Sequence, residues 1–258
     1  MRVYRSLAVI SVMLFALAAM GVAQSNFTGF YVGANLGGAS GTSNAKTTTI
    51  FSPTGYFAMT SPGAIAIAGA QTLHPSSAVG GGQAGFNFQI SHIVLGAEVD
   101  FGHMQLSQST MKSGIYPCCI TTGFTVTQSV RTDWLFTARP RLGVAFGRVM
   151  VYGTGGIAVT DFNYKAQFAD TFATATENGG VNENRTGWIG GGGAEFRLTH
   201  HWSVKGEYLH ADFGGVRTTS TNLFATFGGT PVAFPTNIWT HRANLTTNIG
   251  RVGVNFRF

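Results

Sequence analysis

Eight segments of this chain alternate in polarity with period two, and the connections between them alternate long and short. Period-two alternation is the mark of a strand, because successive side chains point to opposite faces. The first segment, TGFYVGANLGG from Thr28, sets Phe30, Val32, Ala34 and Leu36 against Tyr31, Gly33, Asn35 and Gly37. GGQAGFNFQI, IVLGAEVDFG, RTDWLFTARPRLGVAF, GWIGGGGAEFRL, WSVKGEYLH and the closing RVGVNFRF repeat the pattern. A further segment, VMVYGTGGIAVTDF, is tolerably apolar on both faces, and its alternation does not settle which side points inward. Ser91-His92, Gly147-Arg148 and Thr199-His200-His201 read as tight turns. Four long stretches, about 39–78, 104–129, 165–184 and 212–240, read as loops.

The side that the large apolar residues share is not the side of the charges. Glu98, Asp100, Arg139, Arg141, Glu195, Lys205, Glu207 and Arg251 share their face with Gly and Asn, while Phe, Trp, Leu and Val crowd the other. A soluble barrel would turn its apolar face inward and its charges outward. Eight strands have no room for that many large side chains, and a glycine-rich exterior would be left. The pattern therefore predicts an all-β fold: an eight-stranded antiparallel up-and-down transmembrane β-barrel, with short periplasmic turns and long extracellular loops. Charged residues are only 10% of the chain, against about a quarter in soluble domains. Beyond the N-terminal segment no apolar run is long enough for a membrane helix, and a closed barrel is the other way to satisfy every backbone group in lipid.

The N-terminal segment MRVYRSLAVISVMLFALAAMGVAQ has Arg2 and Arg5, an apolar run, and small residues before Gln24. It reads as a secretory signal peptide over 1–23, cleaved between Ala23 and Gln24. The mature barrel would then occupy 24–258 and carry 14 Lys and Arg against 10 Asp and Glu, a net charge of +4 rather than +6. With no cluster of basic residues, nucleic-acid binding is excluded as a partner class.

FTGFYVGANLGG, RPRLGVAFGRVMVYGTGGIA (139–158), TGWIGGGGAEFRLTHHWSVKGEYLH (186–210) and RVGVNFRF together resemble the small outer-membrane β-barrel proteins of alphaproteobacteria, called outer-membrane immunogenic or porin-family proteins. The resemblance covers strands and turns, about half the chain, and not the loops. It implies an OmpA-type barrel in the outer membrane. It also implies a C-terminal signal for the outer-membrane assembly machinery, whose matching positions are Val254, Phe256 and Phe258. Lipid and lipopolysaccharide are the other expected partners; oligomeric state is left open. The family's functions are envelope integrity, surface antigenicity and, for some members, modest pore activity. A structural surface protein is the leading expectation; a narrow pore and a loop-based adhesin are the alternatives.

No enzyme and no cofactor are expected. Gly190–Gly193 lacks the Lys-Ser/Thr and helix start of a phosphate loop. His200-His201 fall in a turn and do not converge as metal ligands. His103 and His210, the latter near Asp212, have no serine that sequence places beside them. Cys118-Cys119 can close a strained ring, stay free, or bridge two chains. Counting residues from the turns puts the inward charges in one layer near mid-membrane, with Glu98 facing Arg141 and Glu207 facing Arg251. An unpaired charge in so confined an interior is costly, so the layer is expected to be an ion-pair network that plugs the bore, with hydrogen bonds to Gln83, Asn87 and Asn255.

Overall fold

The computed structural model describes residues 26–119 and 121–258; the expected cleavage site at Ala23 and Gln24 lies outside them. Among the described residues, thirteen strands form one antiparallel sheet. They are β1 (Gly29–Thr49), β2 (Ala70–Leu73), β3 (Ser76–Ile90), β4 (Ile93–Met104), β5 (Ser107–Ile115), β6 (Gly123–Arg131) and β7 (Trp134–Phe146), then β8 (Val149–Asp170), β9 (Thr176–Arg197), β10 (Trp202–Ser220), β11 (Phe224–Phe227), β12 (Thr230–Ala233) and β13 (Trp239–Arg257). The one short helix among the described residues, α1 (Ser61–Ala68), begins with Pro62 in its first turn, where a missing N–H is tolerated.

The pairing runs β1–β3–β4–β7–β8–β9–β10–β13 and returns to β1. Two turns at one end are as short as hairpins allow. Ser91-His92 joins the Ile90↔Ile93 pair and Gly147-Arg148 joins Phe146↔Val149. Ser91 (φ 54°) and Gly147 (φ 56°) adopt the left-handed conformation that two-residue hairpin turns require.

The stretches expected as loops are largely strand. The hairpin β4–β7 does not stop at Met104 and Trp134. After a jog in which the Thr132 hydroxyl donates to the Met104 carbonyl at 2.8 Å, it continues as β5–β6, and β6 pairs the distal half of β8. β8 and β9 stay paired from Val149↔Phe196 to Ala169↔Thr176. The reason is an inversion of polarity along single strands. The outer residues of β13 run Thr240, Arg242, Asn244, Thr246 and Asn248, then Val252, Val254 and Phe256, while the inner ones run Ala243, Leu245 and Ile249, then Arg251, Asn255 and Arg257. β8 changes likewise, from outer Val149, Val151, Ile157 and Val159 to Asp161, Asn163, Lys165 and Gln167. Met150, Tyr152, Ala158, Phe162 and Tyr164 are buried, so the even-numbered face of β8 is the inner one.

On β1 the apolar outer run from Phe30 to Gly38 measures roughly 27 Å along the strand, and roughly 20 Å along the axis at the usual tilt. Beyond it the outer face is Ser40, Thr42, Asn44 and Lys46.

The interior is layered. Phe27, Val94, Ala145, Met150 and Tyr152 cluster at the short-turn end. Next come the charged residues. Beyond them is an apolar cluster that includes Met104, Leu135, Phe162, Ile189, Leu209, Phe213 and Ile249. At the far end a third cluster, with Phe57, Ile65, Tyr116, Phe124, Phe168 and Trp239, joins α1 to the distal strands. There the Asp170 carboxylate accepts from the hydroxyls of Tyr56 (2.6 Å) and Tyr116 (3.0 Å) and from the Ala175 N–H (2.9 Å).

Candidate functional site: a buried ion-pair layer

Strand alternation sends Glu98 and Asp100 of β4, Arg139 and Arg141 of β7, Glu195 of β9, Lys205 and Glu207 of β10 and Arg251 of β13 to one interior level, where all eight are buried. Arg139 stands opposite Glu98 in the β4–β7 register, and Glu207 opposite Arg251 in the β10–β13 register. The Arg139 guanidinium reaches Glu98 at 2.8 Å, Asp100 at 2.9 Å and Glu207 at 3.1 Å. Arg251 takes Asp100 at 2.9 Å and Glu207 at 2.8 Å. Lys205 Nζ donates to both Glu98 oxygens, at 2.7 and 2.8 Å. Arg141 bridges Glu98 (3.3 Å) and Glu195 (3.0 Å). All eight residues singled out from the sequence meet here.

The register differs from the count made from the turns. Arg141 faces Gly96, and Arg139 is the residue opposite Glu98. Arg141 still reaches Glu98 because the guanidinium lies over the Tyr152 ring, 3.9 Å from its centroid, and spans two positions along the wall. Gln83 and Asn255 bond each other (2.5 Å), and Asn35 donates to Gln83 (3.0 Å), so these amides form a chain of their own beside the charges. The Asn87 side chain is buried without a protein hydrogen bond, in place of the bonds expected of it. It lies over Gly96, where a Cβ would come within 2.2 Å of its Oδ1.

Five members were missed by sequence reasoning. Arg257 bonds Glu195 at 3.2 Å, and Ser203 donates to the same carboxylate at 2.7 Å. Tyr31 donates to Glu98 (2.8 Å), Tyr152 to Glu207 (3.1 Å) and Thr137 to Asp100 (2.5 Å). Arg257, Ser203, Tyr31 and Thr137 lie on the polar side of their strands, so the alternation carried their signal, whereas Tyr152 lies on β8, whose inner face the alternation does not settle. Tyr31 and Tyr152 fit because Gly85 and Gly193 face them; a Cβ there would meet the hydroxyls at 2.4 and 2.8 Å.

Of the C-terminal positions, Val254 pairs with Ala34 on the outer wall. Phe256 packs edge-on against Trp202 and Phe258, with ring centroids 5.1 and 5.3 Å apart. Phe258 N donates to the Phe30 carbonyl at 3.1 Å.

No group of three or more His, Cys, Asp or Glu converges as a metal site among the described residues. His210 bonds Asn248 at 2.8 Å, and Asp212 accepts from Gly214 N at 2.8 Å. A Ser, His and Glu do meet elsewhere, in the distal interior. Ser220 Oγ and Glu177 Oε1 both approach His241 Nε2, at 3.2 and 3.1 Å, while Thr47 Oγ1 takes Nδ1 at 3.1 Å. A nucleophile triad needs serine and carboxylate on opposite ring nitrogens. Here they share one, so this cluster ties β1, β9, β10 and β13 together instead.

A sheet whose pairing returns to its start, apolar outside and charged within, is the construction of an outer-membrane β-barrel protein. The chain belongs to the family described as outer membrane protein beta-barrel domain, whose model matches residues 8–258, and its place is the outer membrane of a Gram-negative envelope. It is 33% identical over 150 residues to the 31 kDa outer-membrane immunogenic protein of Brucella melitensis, spanning 57% of this chain and 59% of that protein, under two thirds of the relative's length. It is 26% identical over 238 residues to the 25 kDa outer-membrane immunogenic protein of the same organism, spanning 91% of this chain and 81% of that one. Among solved structures it is similar to Ail, the attachment invasion locus protein of Yersinia pestis, at TM-score 0.35 and 10% identity over 90% of this chain and 100% of that one. Neisserial surface protein A gives TM-score 0.34 and 11% identity over 90% and 98%.

Proposed function

We propose that the chain is a plugged eight-stranded barrel that stabilises the outer membrane and presents a β-structured cap to the exterior. The spanning strands are β1, β3, β4, β7, β8, β9, β10 and β13, as the circuit of pairings supports. Residues about 39–78, 104–129, 165–184 and 212–240 form the extracellular part. Lipid and lipopolysaccharide cover the apolar band, and the assembly machinery reads Val254, Phe256 and Phe258.

The observation that carries this reading is the bonded charge layer, with an apolar layer directly beyond it. An eight-stranded interior is just wide enough to be filled by side chains, and both layers fill it. Purified protein in planar bilayers is expected to be silent; steady, reproducible openings would overturn the reading. The Glu98→Ala, Arg141→Ala pair is expected to stay closed, because the Leu209 and Phe213 layer still blocks the path. Opening requires Leu209→Ala and Phe213→Ala as well.

A second reading, recognition of an uncharged surface by the cap, is favoured by one feature. Ile50, Phe51, Met59, Ile67, Ile115 and Phe172 are exposed there, and no Asp, Glu, Lys or Arg occurs at 47–97, 113–130 or 218–241. Met59→Ser with Ile67→Ser is expected to lower binding of whole cells to apolar surfaces; unchanged binding removes this reading.

A further inference from the structure

Cys118 and Cys119 form the tip of the β5–β6 hairpin, just past the Ile115↔Gly123 pair. The turn that carries them is tied at both ends. Cys119 N donates to the Tyr116 carbonyl at 3.0 Å, Thr122 N to the Cys119 carbonyl at 2.8 Å, and Tyr116 N to the Thr122 carbonyl at 3.1 Å. Tyr116 is itself anchored in the cap by Asp170. Both thiols are free and exposed, and their sulfurs stand 2.7 Å apart.

Three chemistries compete for such a pair, and each asks for a different sulfur geometry. Two thiolates on one tetrahedral zinc, each about 2.3 Å from it, stand roughly 3.8 Å apart, and no third His, Cys, Asp or Glu converges on the pair among the described residues. A bridge between two chains needs at least one sulfur aimed outward at a neighbour. A bond within the pair needs the sulfurs facing each other at about 2.05 Å. The observed separation falls well short of the chelate distance and lies closest to the internal bond.

We propose that Cys118 and Cys119 are a redox site: a vicinal disulfide formed at the cell surface by exchange with a disulfide-bearing oxidant. The Cys118 thiolate, after losing its proton to water, attacks one sulfur of the oxidant R–S–S–R. A mixed disulfide forms and RS⁻ leaves. The Cys119 thiol, whose sulfur stands 2.7 Å from that of Cys118, then loses its proton to water and attacks the Cys118 sulfur, expelling the second RS⁻. Two protons and two electrons pass from the pair to the oxidant, giving two R–SH. Adjacent Cα atoms lie about 3.8 Å apart, below the usual range for disulfide partners, so the bond is of the easily reduced kind. Ring closure leaves no exposed thiol, and neighbouring copies cannot be cross-linked through this tip.

The test uses the refolded full barrel in detergent, treated with oxidised glutathione and then alkylated without reductant. Intact mass is expected to be lower than that of the reduced protein by two hydrogens, with no alkyl group added. Dithiothreitol before alkylation restores two alkylation sites. A non-reducing gel shows monomer. Two alkylated thiols in the oxidised sample, a reductant-sensitive wild-type dimer, or zinc retained through dialysis would each overturn the proposal. Cys118→Ser strands one thiol, and is expected to take one alkyl group and to form a reductant-sensitive dimer on oxidation. A C118S protein that stays monomeric and unalkylated would show the tip to be inaccessible, which also overturns it.

Discussion

Glu98 is the member of the charge layer whose removal should be felt most. Its two oxygens receive Lys205 at 2.7 and 2.8 Å, Arg139 at 2.8 Å, Tyr31 at 2.8 Å and Arg141 at 3.3 Å. Arg139 keeps Asp100 and Glu207, and Arg141 keeps Glu195. Lys205 keeps only a Glu207 oxygen at 3.9 Å. Glu98→Ala thus strands one buried ammonium, and removing one partner of a buried pair costs about 3–5 kcal/mol. Lys205→Met alone leaves Glu98 with the guanidiniums of Arg139 and Arg141, and with Arg251 at 3.9 Å, so its loss should stay below about 2 kcal/mol. In the double variant the stranded charge is gone, and most of the Glu98→Ala loss should return. The expected coupling is about 2 kcal/mol or more, of the size seen between directly contacting groups. Urea unfolding of barrels refolded in lipid vesicles, followed by tryptophan fluorescence, measures all four corners of the cycle. A Glu98→Ala loss under about 1 kcal/mol with no coupling to Lys205 would mean that water enters the layer and solvates the ammonium, and the plug argument would fail.

Gly85→Ala should push the Tyr31 hydroxyl off Glu98, since a Cβ there meets it at 2.4 Å and the Ala97 carbonyl at 2.6 Å; a loss of about 1–3 kcal/mol in the same unfolding assay checks it. Asp170→Ala removes the acceptor shared by Tyr56, Tyr116 and Ala175, and limited proteolysis should then cut within the cap while the heat-modifiable gel shift of the barrel persists. Burial, followed by the Asp170 carboxylate, holds the Tyr56 and Tyr116 hydroxyls well above the ordinary tyrosine range. A raised folded value supports stability that is complete below the unfolded value near 10 and declines as pH rises above it. The cap should therefore loosen at alkaline pH, with phenolate absorbance rising together with protease sensitivity; two tyrosines that titrate normally in an intact cap would refute this. Phe258→Ala should lower the yield of assembled barrel in cells without changing the stability of material refolded in vitro, as quantitative gel analysis of membrane fractions would show.

The membrane part of the fold was legible because lipid outside and charge inside give the two faces opposite chemistry. RVGVNFRF is the clearest case: every outer residue from Val252 is apolar or aromatic, and every inner one is Arg, Gly or Asn. Arg257 continues that inner series and bonds Glu195, so its place is legible in the same alternation. The distal strands were not legible, because beyond the apolar outer band the code reverses. A strand such as β13 passes from Arg and Asn inside to Leu, Ala and Ile inside without a turn signal between them. The reversal mimics the end of a strand, and Ser/Thr-rich stretches such as 40–49 then look like loops. The contact between His241 and Glu177 could not be read at all. It joins residues 64 positions apart, and only the pairing of the strands between them brings the two together.

The charge layer also bears on why the chain settles in one register. A shift of one residue moves every side chain of a strand to the opposite face. In β7 such a slip would turn Arg139 and Arg141 toward lipid, at about 2–4 kcal/mol each near the bilayer midplane. In β10 it would expose Lys205 and Glu207, and in β13 Arg251 and Arg257. β8 has no such guard, since its membrane half holds no charged residue at all from Val149 to Val159, and this is the strand whose inner face the sequence left open. Its neighbours supply what it lacks. β7 fixes it through ten register pairs and β9 through an unbroken ladder from Val149↔Phe196 to Ala169↔Thr176, and Tyr152 reaches Glu207 from the inner face only in that register. Replacing the charged layer with apolar side chains of equal volume would then leave stability near its present value, as buried ion pairs elsewhere allow, but would remove the penalty for slippage. Such a variant should refold to several heat-modifiable species where the native chain gives one. A single sharp species from the fully apolar variant would show that register is set by the turns alone, at Ser91-His92 and Gly147-Arg148, and that the charges serve only to fill the bore.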